Sequence, residues 1–359
     1  MKQEELKYFG VKSFEEYISL RVLNFLYAHA KEIVKQARAD TESEVPSVPL
    51  FDDFMSELEK EVGEEHKKIY QDCKNIFYRS SLPNMMEMIP EKTSRNYISI
   101  TGASNTEDIT NLIRIFREYG LDMDSIIVPT IGFQVMRANL QGSEEYSMRN
   151  PHVNEIKNLL SKAEGNFFPM LHYNSSTEKG YADEISQLMS VCNPERICAR
   201  IQVNNRGRLK PAEELEKAKE QYPWLEMCLQ VPPNNLDVPR EKVVEALAEY
   251  SGVIDSIIID DSRGKGEKLP VDDVVGFYRE IRAALPGLSI VIAGGLDGTV
   301  VREEIRQMTE MVGKDFSVDA EGRLRDMVGE KRGEDILNYQ KAEDYVKASV
   351  DLLCRQAFD

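Results

Sequence analysis

Residues 289–319 read SIVIAGGLDGTVVREEIRQMTEMVGKDFSVD, which begins with a short apolar strand and a pair of glycines. The apolar run ends at Ala293, and apolar residues then recur at helical spacing from Val300 to Met311, before a second apolar run. A strand, a helix and a second strand within about 30 residues make up one βα unit of a parallel sheet. The segment therefore predicts parallel strands that are joined by helices.

The same unit recurs along the chain after Arg95. Eight successive units favour a closed parallel barrel over an open sheet. We therefore predict an α/β protein in which residues 93–359 form a (βα)8 TIM barrel. The predicted strands are 97–101, 125–130, 167–173, 197–203, 226–231, 256–260, 289–293 and 315–319, and the predicted helices are 106–119, 154–163, 178–190, 212–221, 240–250, 271–284, 300–311 and 334–353.

Residues 1–92 have a different pattern and predict a helical N-terminal extension outside the barrel. Segments 14–36 and 51–78 carry apolar residues at helical spacing, and a polar break with prolines lies between them. Pro83 and Pro90 indicate a linker or loop at 80–92. No residue in this part suggests chemistry, so we expect these helices to serve in packing or in oligomerisation.

The charge balance excludes two classes of partner. The 359 residues carry a formal net charge of −17, which repels nucleic-acid phosphates and anionic lipids, so we expect neither nucleic acid nor membrane as a partner. The sequence has no run of about 18 apolar residues, and its charged beginning is unlike a signal peptide. We therefore expect a cytoplasmic protein.

The cysteines and histidines suggest no metal site. They are scattered along the chain, without the short spacings of zinc ligands. We expect free thiols, no metal and no cofactor. The residues are Cys73, Cys192, Cys198, Cys228, Cys354, His29, His66, His152 and His172.

Several predicted strands alternate so that polar side chains point into the barrel. In 197–204, Arg200, Gln202 and Asn204 fall on the inner face, and Thr101 and Asp319 do so in the first and last strands. A buried polar group without a partner costs about 1–3 kcal/mol. These groups therefore form either an internal hydrogen-bond network or a ligand site, for which we select Arg200, Gln202 and Asp319 as substrate-binding residues.

Two glycine-bearing loops predict a phosphate site. Gly294 and Gly295 follow the seventh strand, and Gly322 and Arg323 follow the eighth. Glycine leaves backbone N–H groups accessible to an anion, and the loops after the last two strands form the recurrent phosphate site of these barrels. The alternative for each loop taken alone is a tight turn. We expect a small phosphorylated ligand at this place.

Four stretches of the predicted barrel carry recognisable motifs. They are ITGASNTED at 100–108, DSIIIDDS at 255–262 with Gly264-Lys265-Gly266, AGGL at 293–296, and Val318-Asp319 with Gly322. These stretches resemble motifs of phosphoribosylanthranilate isomerase and occur in the same order, so that the resemblance covers about residues 97–355. The last two motifs are shared by many phosphate-binding barrels.

The resemblance also implies catalytic residues. The family has a cysteine base at the end of the first strand, where this chain has Thr101, and an aspartate acid at the end of the sixth, which corresponds to Asp260 or the adjacent Asp261. A threonine hydroxyl cannot act as a base at neutral pH, whereas a thiol can be tuned to do so. We therefore expect Thr101 to contribute a hydrogen bond and the chain to have little or no isomerase activity.

Other residues have two interpretations each. His172, at the end of the third strand, is a candidate base or a structural histidine. Arg200 is suited to bind a carboxylate or a second phosphate, or else forms an internal ion pair with Asp260 or Glu226. The loop that carries Arg263 and Lys265 either closes over an anion or is solvated.

Three functional hypotheses follow. The first is an isomerase, epimerase or lyase of a small phosphorylated sugar derivative, with Asp260 as the acid and His172 or Asp319 as its partner. The second is a non-catalytic barrel that binds a phosphorylated ligand. The third is a scaffold whose N-terminal part binds a partner. The fold alone does not choose among them.

Overall fold

The computed structural model describes residues 22, 33, 36, 48–62, 67–78, 95–123, 125, 127–143, 147–163, 165–204, 208–234, 236–260, 270–330 and 333–354. The chain divides into two compact units, Met1–Lys92 and Thr93–Asp359. Most of the helix predicted at 14–36 lies outside the described residues. The whole predicted linker at 80–92 also lies outside them, as does the segment that contains Asp261, Arg263 and Lys265.

In the first unit, the segment predicted as one helix at 51–78 contains two. Phe51, Met55 and Leu58 recur at helical spacing and are buried. The ring of Phe51 stacks on that of Phe77, with centroids 3.6 Å apart, and so joins the two helices. They are α1 (Pro49–Val62) and α2 (Lys67–Ile76).

The second unit is a closed barrel of eight parallel strands in sequence order, with β8 paired to β1, which confirms the predicted fold. Each strand is predominantly buried. The strands are β1 (Tyr97–Thr101), β2 (Val128–Met136), β3 (Phe168–Asn174), β4 (Arg200–Asn204), β5 (Glu226–Val231), β6 (Ser256–Ile259), β7 (Ser289–Ala293) and β8 (Ser317–Ala320).

Helices surround the barrel and cover the apolar outer face of its strands, to which Ile98 and Ile100 of β1 contribute. Short 3₁₀ or π segments adjoin α8, α10 and α11. The helices are α3 (Thr106–Glu118), α4 (Arg137–Leu140), α5 (Val153–Leu160), α6 (Tyr181–Cys192), α7 (Ala212–Gln221), α8 (Val243–Leu247), α9 (Val271–Ala284), α10 (Gly298–Val300), α11 (Arg306–Val312) and α12 (Tyr339–Leu353).

Five strands differ from their predicted bounds, β3, β6 and β8 by one or two residues and β2 and β4 by three or more. β2 was expected at 125–130 but continues to Met136, because β3 pairs with it from Thr130 onward. β4 was expected from residue 197 but begins at Arg200. The side chain of Asn193 holds the preceding turn, since its amide accepts from the N–H of Cys198 and donates to the carbonyl of the same residue.

An apolar cluster lies inside the barrel and takes side chains from every strand except β4 and β8. Its seven buried members are Tyr97, Val128, Met170, Cys228, Ile258, Val291 and Ala293.

A two-stranded antiparallel hairpin follows β8, formed by β9 (Arg325–Met327) and β10 (Asp335–Leu337). β10 occupies the start of the helix predicted at 334–353, so α12 begins only at Tyr339. There the side chain of Asn338 accepts from the N–H groups of Gln340 and Lys341. No helix within the described residues has both the length and the apolar composition that a bilayer crossing requires.

Candidate active site

Three side chains at the C-terminal end of the barrel form one hydrogen-bonded network. The hydroxyl of Thr101 donates to Oδ1 of Asp319 at 2.9 Å, and its oxygen lies 3.1 Å from Nε2 of His172. All three side chains are buried. Residues from β1, β3 and β8 therefore meet at one point, which we call the Asp319–Thr101–His172 network.

The network depends on a glycine of β2, the strand that lies between β1 and β3. Gly132 is the register partner of Thr101. A Cβ at this position would lie 2.3 Å from the Thr101 oxygen and 2.7 Å from Nε2 of His172. Gly132 therefore leaves the space in which the two side chains meet. The predicted second strand ended at Thr130 and missed this residue, although alternation continued to Met136 would have placed it on the inner face.

The environment of Asp319 raises the pKa of its carboxyl group. Burial raises the pKa of Asp319 to about 7, the nearby hydroxyls of Ser99 and Thr101 lower it, and the negative charges of Glu321 and Asp260 add to the rise. Both protonation states of the carboxyl group are therefore populated at neutral pH. A group with such a pKa is well suited to general acid–base chemistry.

His172 has the opposite character. Burial lowers the pKa of His172 to about 3, so the imidazole is neutral at physiological pH. One of its two nitrogens then carries a proton and the other is an acceptor. His172 therefore belongs to the network as a hydrogen-bonding group rather than as a cation.

Two further predicted site residues lie near the network. Asp260 directly follows β6, is partly buried, and accepts from the side-chain amide of Gln230 at 2.8 Å. Gln202 of β4 is the register partner of His172. Its side-chain oxygen is buried and accepts no hydrogen bond from the described residues. The inner face at this end thus combines a second carboxyl group with an unused acceptor.

The four predicted phosphate-binding residues follow β7 and β8. Gly294 and Gly295 have φ of 99° and 64°, a left-handed conformation that favours glycine. Gly322 begins a short 3₁₀ turn, Gly322–Leu324. Arg323 forms an ion pair with Asp297 at 3.1 Å, so its guanidinium already has a carboxylate partner.

Arg200 lies at the other end of the barrel. It is the first residue of β4, and its guanidinium is 2.6 Å from the carboxylate of Glu226. The rings of Tyr97 and Phe168 each lie 4.6 Å from its guanidinium carbon. The internal ion pair with Glu226, one of the two arrangements expected for Arg200, is thus the one present. Because β4 begins at Arg200, this residue lies at the end of its strand opposite the mouth, and its selection as a substrate-binding residue stays a prediction.

A charged cluster at the mouth was not predicted. The carboxylate of Asp335 accepts from Nε of Arg149 at 2.8 Å and from Nε of Arg325 at 2.5 Å. Arg149 also pairs with Glu321 at 2.8 Å, and Arg325 donates to the carbonyl of Gly102 at 3.0 Å. The cluster ties the hairpin to the loops that follow β1, β2 and β8. Its members are far apart in sequence and form no motif, so no sequence signal could have found it.

Buried thiols and metal ligands add no further chemistry in the described part of the chain. Burial raises the pKa of Cys192 and of Cys198 to about 12 and that of Cys228 to about 11. These thiols stay protonated at neutral pH and are poor nucleophiles. Within the same residues, no group of three or more histidine, cysteine, aspartate or glutamate side chains is arranged to hold a metal ion.

The barrel is similar to solved phosphoribosyl anthranilate isomerases. The Thermus thermophilus and Thermotoga maritima proteins are each 15% identical with a TM-score of 0.47, over 72% of this chain and 100% of theirs. The Thermococcus kodakaraensis protein is 18% identical with a TM-score of 0.46, over 72% of this chain and 99% of its own. No protein-family model and no curated protein sequence matches the chain. The fold assignment rests on the closed barrel itself.

Proposed function

We propose that this chain is an enzyme that moves a proton on a small phosphorylated sugar derivative, as an isomerase, an epimerase or a lyase does. The observation that carries the proposal is the Asp319–Thr101–His172 network at the C-terminal end of the barrel. Enzymes with this fold have their active sites at that end.

Two carboxyl groups in different surroundings supply the chemistry. Asp319 is buried and its pKa is raised to about 7, whereas Asp260 is only partly buried and bonded to an amide. Such a pair allows one group to take a proton while the other gives one. Asp319 is the main acid–base group in this proposal, and Asp260 is its partner.

The resemblance of the sequence to phosphoribosylanthranilate isomerase implies a base at the position of Thr101. The Thr101 hydroxyl cannot serve, and it donates instead to Asp319. In this proposal the carboxyl group of β8 thus takes over the task of the missing cysteine. Because the base then comes from another strand, we expect little or no turnover of the isomerase's own substrate.

The phosphate group of the substrate is assigned to the backbone of Gly294 and Gly295. Both residues have left-handed backbones and directly follow Ala293, the register partner of Asp319. A phosphate bound there lies beside the reacting part of the substrate. Arg323 would add positive charge to the site if its guanidinium left the carboxylate of Asp297 and bound the phosphate instead.

Deuterium exchange tests the proposal whatever the product of the reaction is. The protein is incubated in D₂O with a panel of sugar phosphates, including ribose 5-phosphate and ribulose 5-phosphate, and loss of C–H signals is followed by proton NMR. We expect exchange with at least one compound. Asp319→Asn should slow that exchange at least about 100-fold, the usual contribution of an acid–base group. Asp326→Asn, which changes an exposed carboxylate paired with Lys341, should leave it unchanged.

A second candidate is a barrel that binds a phosphorylated ligand without catalysis. Two arginines at the mouth, Arg323 and Arg149, are already paired with Asp297 and Glu321, which favours a static site. Calorimetric titration with ribose 5-phosphate distinguishes the two candidates. Binding without exchange for any compound of the panel contradicts the enzyme proposal and supports the second candidate.

A further inference from the structure

We infer that Thr101 relays a proton between Asp319 and His172, so that Asp319 stores the proton and Nδ1 of His172 exchanges it with the substrate. The inference rests on the proposed function for its role in catalysis. The relay itself follows from the geometry of the network and is measurable without a substrate.

The hydrogen-bond pattern is fixed when Asp319 is ionised. A carboxylate only accepts hydrogen bonds, so the Thr101 hydroxyl must donate to it, across 2.9 Å. The single proton of the hydroxyl is then used, and its oxygen accepts from Nε2–H of His172, across 3.1 Å. In a neutral imidazole this leaves Nδ1 without a proton, as an acceptor.

The pattern reverses when Asp319 is protonated. Its O–H then donates to the oxygen of Thr101, and the Thr101 hydroxyl turns to donate to Nε2 of His172. Nε2 must be bare in order to accept, so the proton of the imidazole lies on Nδ1. The protonation of Asp319 therefore sets which nitrogen of His172 is the donor.

The proton count closes for transfer in either direction. When Nδ1 gives its proton to the substrate, Nε2 takes the proton of the Thr101 hydroxyl and Thr101 takes the proton of Asp319. One proton has left the network, Asp319 is ionised, and no imidazolium has formed. The reverse sequence takes a proton from the substrate at Nδ1 and stores it on Asp319, while the electron pair of the broken bond stays on the substrate.

The relay couples proton exchange at His172 to the pKa of Asp319, a side chain that is about as buried as His172 itself. Asp319 is 6% exposed, and burial raises the pKa of Asp319 to about 7 while it lowers the pKa of His172 to about 3. His172 alone would be a weak base at neutral pH. Coupled to Asp319, it exchanges a proton in the range set by the carboxyl group.

Other groups around the network do not account for a change of the His172 tautomer near pH 7. The register partners of His172 are Gln134 and Gln202, which do not titrate. Burial raises the pKa of Cys228 to about 11, and it raises those of Tyr97 and Tyr345 well above the ordinary tyrosine value. The carboxyl groups of Glu321 and Asp260 act on Asp319 through their charge.

Imidazole nitrogen NMR on the full chain tests the relay. In protein labelled with ¹⁵N-histidine, the signals of His172 are assigned by their loss in His172→Gln, and the tautomer is read from pH 5 to pH 9. We expect the proton on Nδ1 at low pH and on Nε2 at high pH, with a midpoint near 7 and no cationic form. One tautomer throughout this range overturns the inference.

Two pairs of variants identify the groups involved. Thr101→Val should fix one tautomer at every pH, whereas Thr101→Ser should keep the change, because only the serine hydroxyl can turn. Asp319→Asn should abolish the change, and Asp260→Asn should keep it with a midpoint at lower pH, because a nearby negative charge is removed. A change that persists in Thr101→Val or in Asp319→Asn contradicts the relay.

The outcome is separable from that of the proposed function. If the protein catalyses deuterium exchange while His172 keeps one tautomer, the enzyme proposal holds and the relay is wrong. If the tautomer changes with pH but no compound undergoes exchange, the relay holds and the enzyme proposal is wrong.

Discussion

The carboxylate of Glu226 lies 2.6 Å from the guanidinium of Arg200, whose side chain is only 2% exposed. The aromatic rings of Tyr97 and Phe168 contact the same guanidinium. One end of the barrel is therefore closed by an ion pair with an aromatic surround, while the other end holds the Asp319–Thr101–His172 network.

Removal of the Glu226 carboxylate should destabilise the fold. Glu226→Ala leaves a buried cation without its partner, which should lower the free energy of unfolding by roughly 3 kcal/mol. Urea denaturation measures the change. The control is Glu118→Ala, which breaks an exposed pair with Arg114 and should cost less than about 0.5 kcal/mol. An equal and small loss in both variants would show that the Arg200 ion pair is not structural.

Asp319→Asn should stabilise the folded chain in a pH-dependent manner. Between about pH 4 and pH 7 the folded protein keeps a proton on Asp319 that the unfolded chain has lost, so wild-type stability falls with rising pH, by about 1.4 kcal/mol per unit. The asparagine side chain of the variant has no such proton to keep, so the variant does not lose stability in this way. The difference in the free energy of unfolding between Asp319→Asn and the wild type should therefore grow from pH 4 to pH 7 and then stay constant. His172 titrates in the opposite sense between about pH 3 and 6.5, in both proteins, and cancels in the difference.

Urea denaturation at pH 4.5, 6, 7 and 8 provides the comparison between Asp319→Asn and the wild type. A difference in the free energy of unfolding that does not depend on pH would mean that Asp319 has an ordinary pKa. The proposed acid–base role would then lose its physical basis.

Gly132→Ala should disrupt the network while a similar change elsewhere does no harm. The added Cβ would lie 2.3 Å from the Thr101 oxygen, so the contact with His172 is lost. We expect loss of the tautomer change and of deuterium exchange. Gly276→Ala is the control, because a Cβ there meets nothing within 4 Å in the middle of α9 and should stabilise the chain by about 0.5–1 kcal/mol. An unaltered tautomer change in Gly132→Ala contradicts the prediction.

Gly295→Val should weaken phosphate binding, because its side chain would cover the backbone N–H groups and strain a left-handed residue. Gly313→Val carries the same type of strain, at φ 77° and in open surroundings, and should bind normally. Calorimetric titration with inorganic phosphate and with ribose 5-phosphate compares the two. We expect at least a tenfold loss in Gly295→Val alone. Equal affinity in two folded variants would argue against this phosphate site.

Phosphoribosylanthranilate isomerase turnover should be absent or a trace in the wild type. The position of the family's base is occupied by Thr101, and a missing acid–base group costs about 10²–10⁴ in rate. Assays of the wild type and of Thr101→Cys measure the effect. A gain in the variant would mean that only the base is missing, and no gain would mean that the pocket has also diverged. Robust wild-type turnover would overturn the prediction.

The eight βα units were predictable because each strand is a short apolar run with a helix after it. The errors arose where tertiary contacts set the strand ends. Apolar alternation continues from Ile197, yet the side chain of Asn193 binds the backbone at Cys198 and β4 starts only at Arg200. The predicted second strand ended at Thr130, but pairing with β1 to Gly132 and with β3 to Met136 extends it.

The site was predictable residue by residue but not as an arrangement. Alternation places Thr101, His172 and Asp319 on the inner face of three strands. Alternation does not determine the position of an inward-facing residue along the barrel axis, so it placed Arg200 on the same inner face as Gln202 without showing that the two lie at different levels. The contact between Thr101 and His172 depends on strand register and on the missing side chain of Gly132, two facts that no single segment contains.

The pairing of β8 with β1 has a consequence for the synthesis of the chain. The backbone N–H of Tyr97 finds its partner, the hydroxyl of Ser317, 220 residues later. At about 5–20 residues per second, β1 waits on the order of 10–40 s on the ribosome with one edge unpaired. An unpaired strand edge is a template for association with other chains. The time at which β8 is synthesised therefore sets how long the edge of β1 can pair with other chains, and slow translation of the residues before β8 lengthens that time.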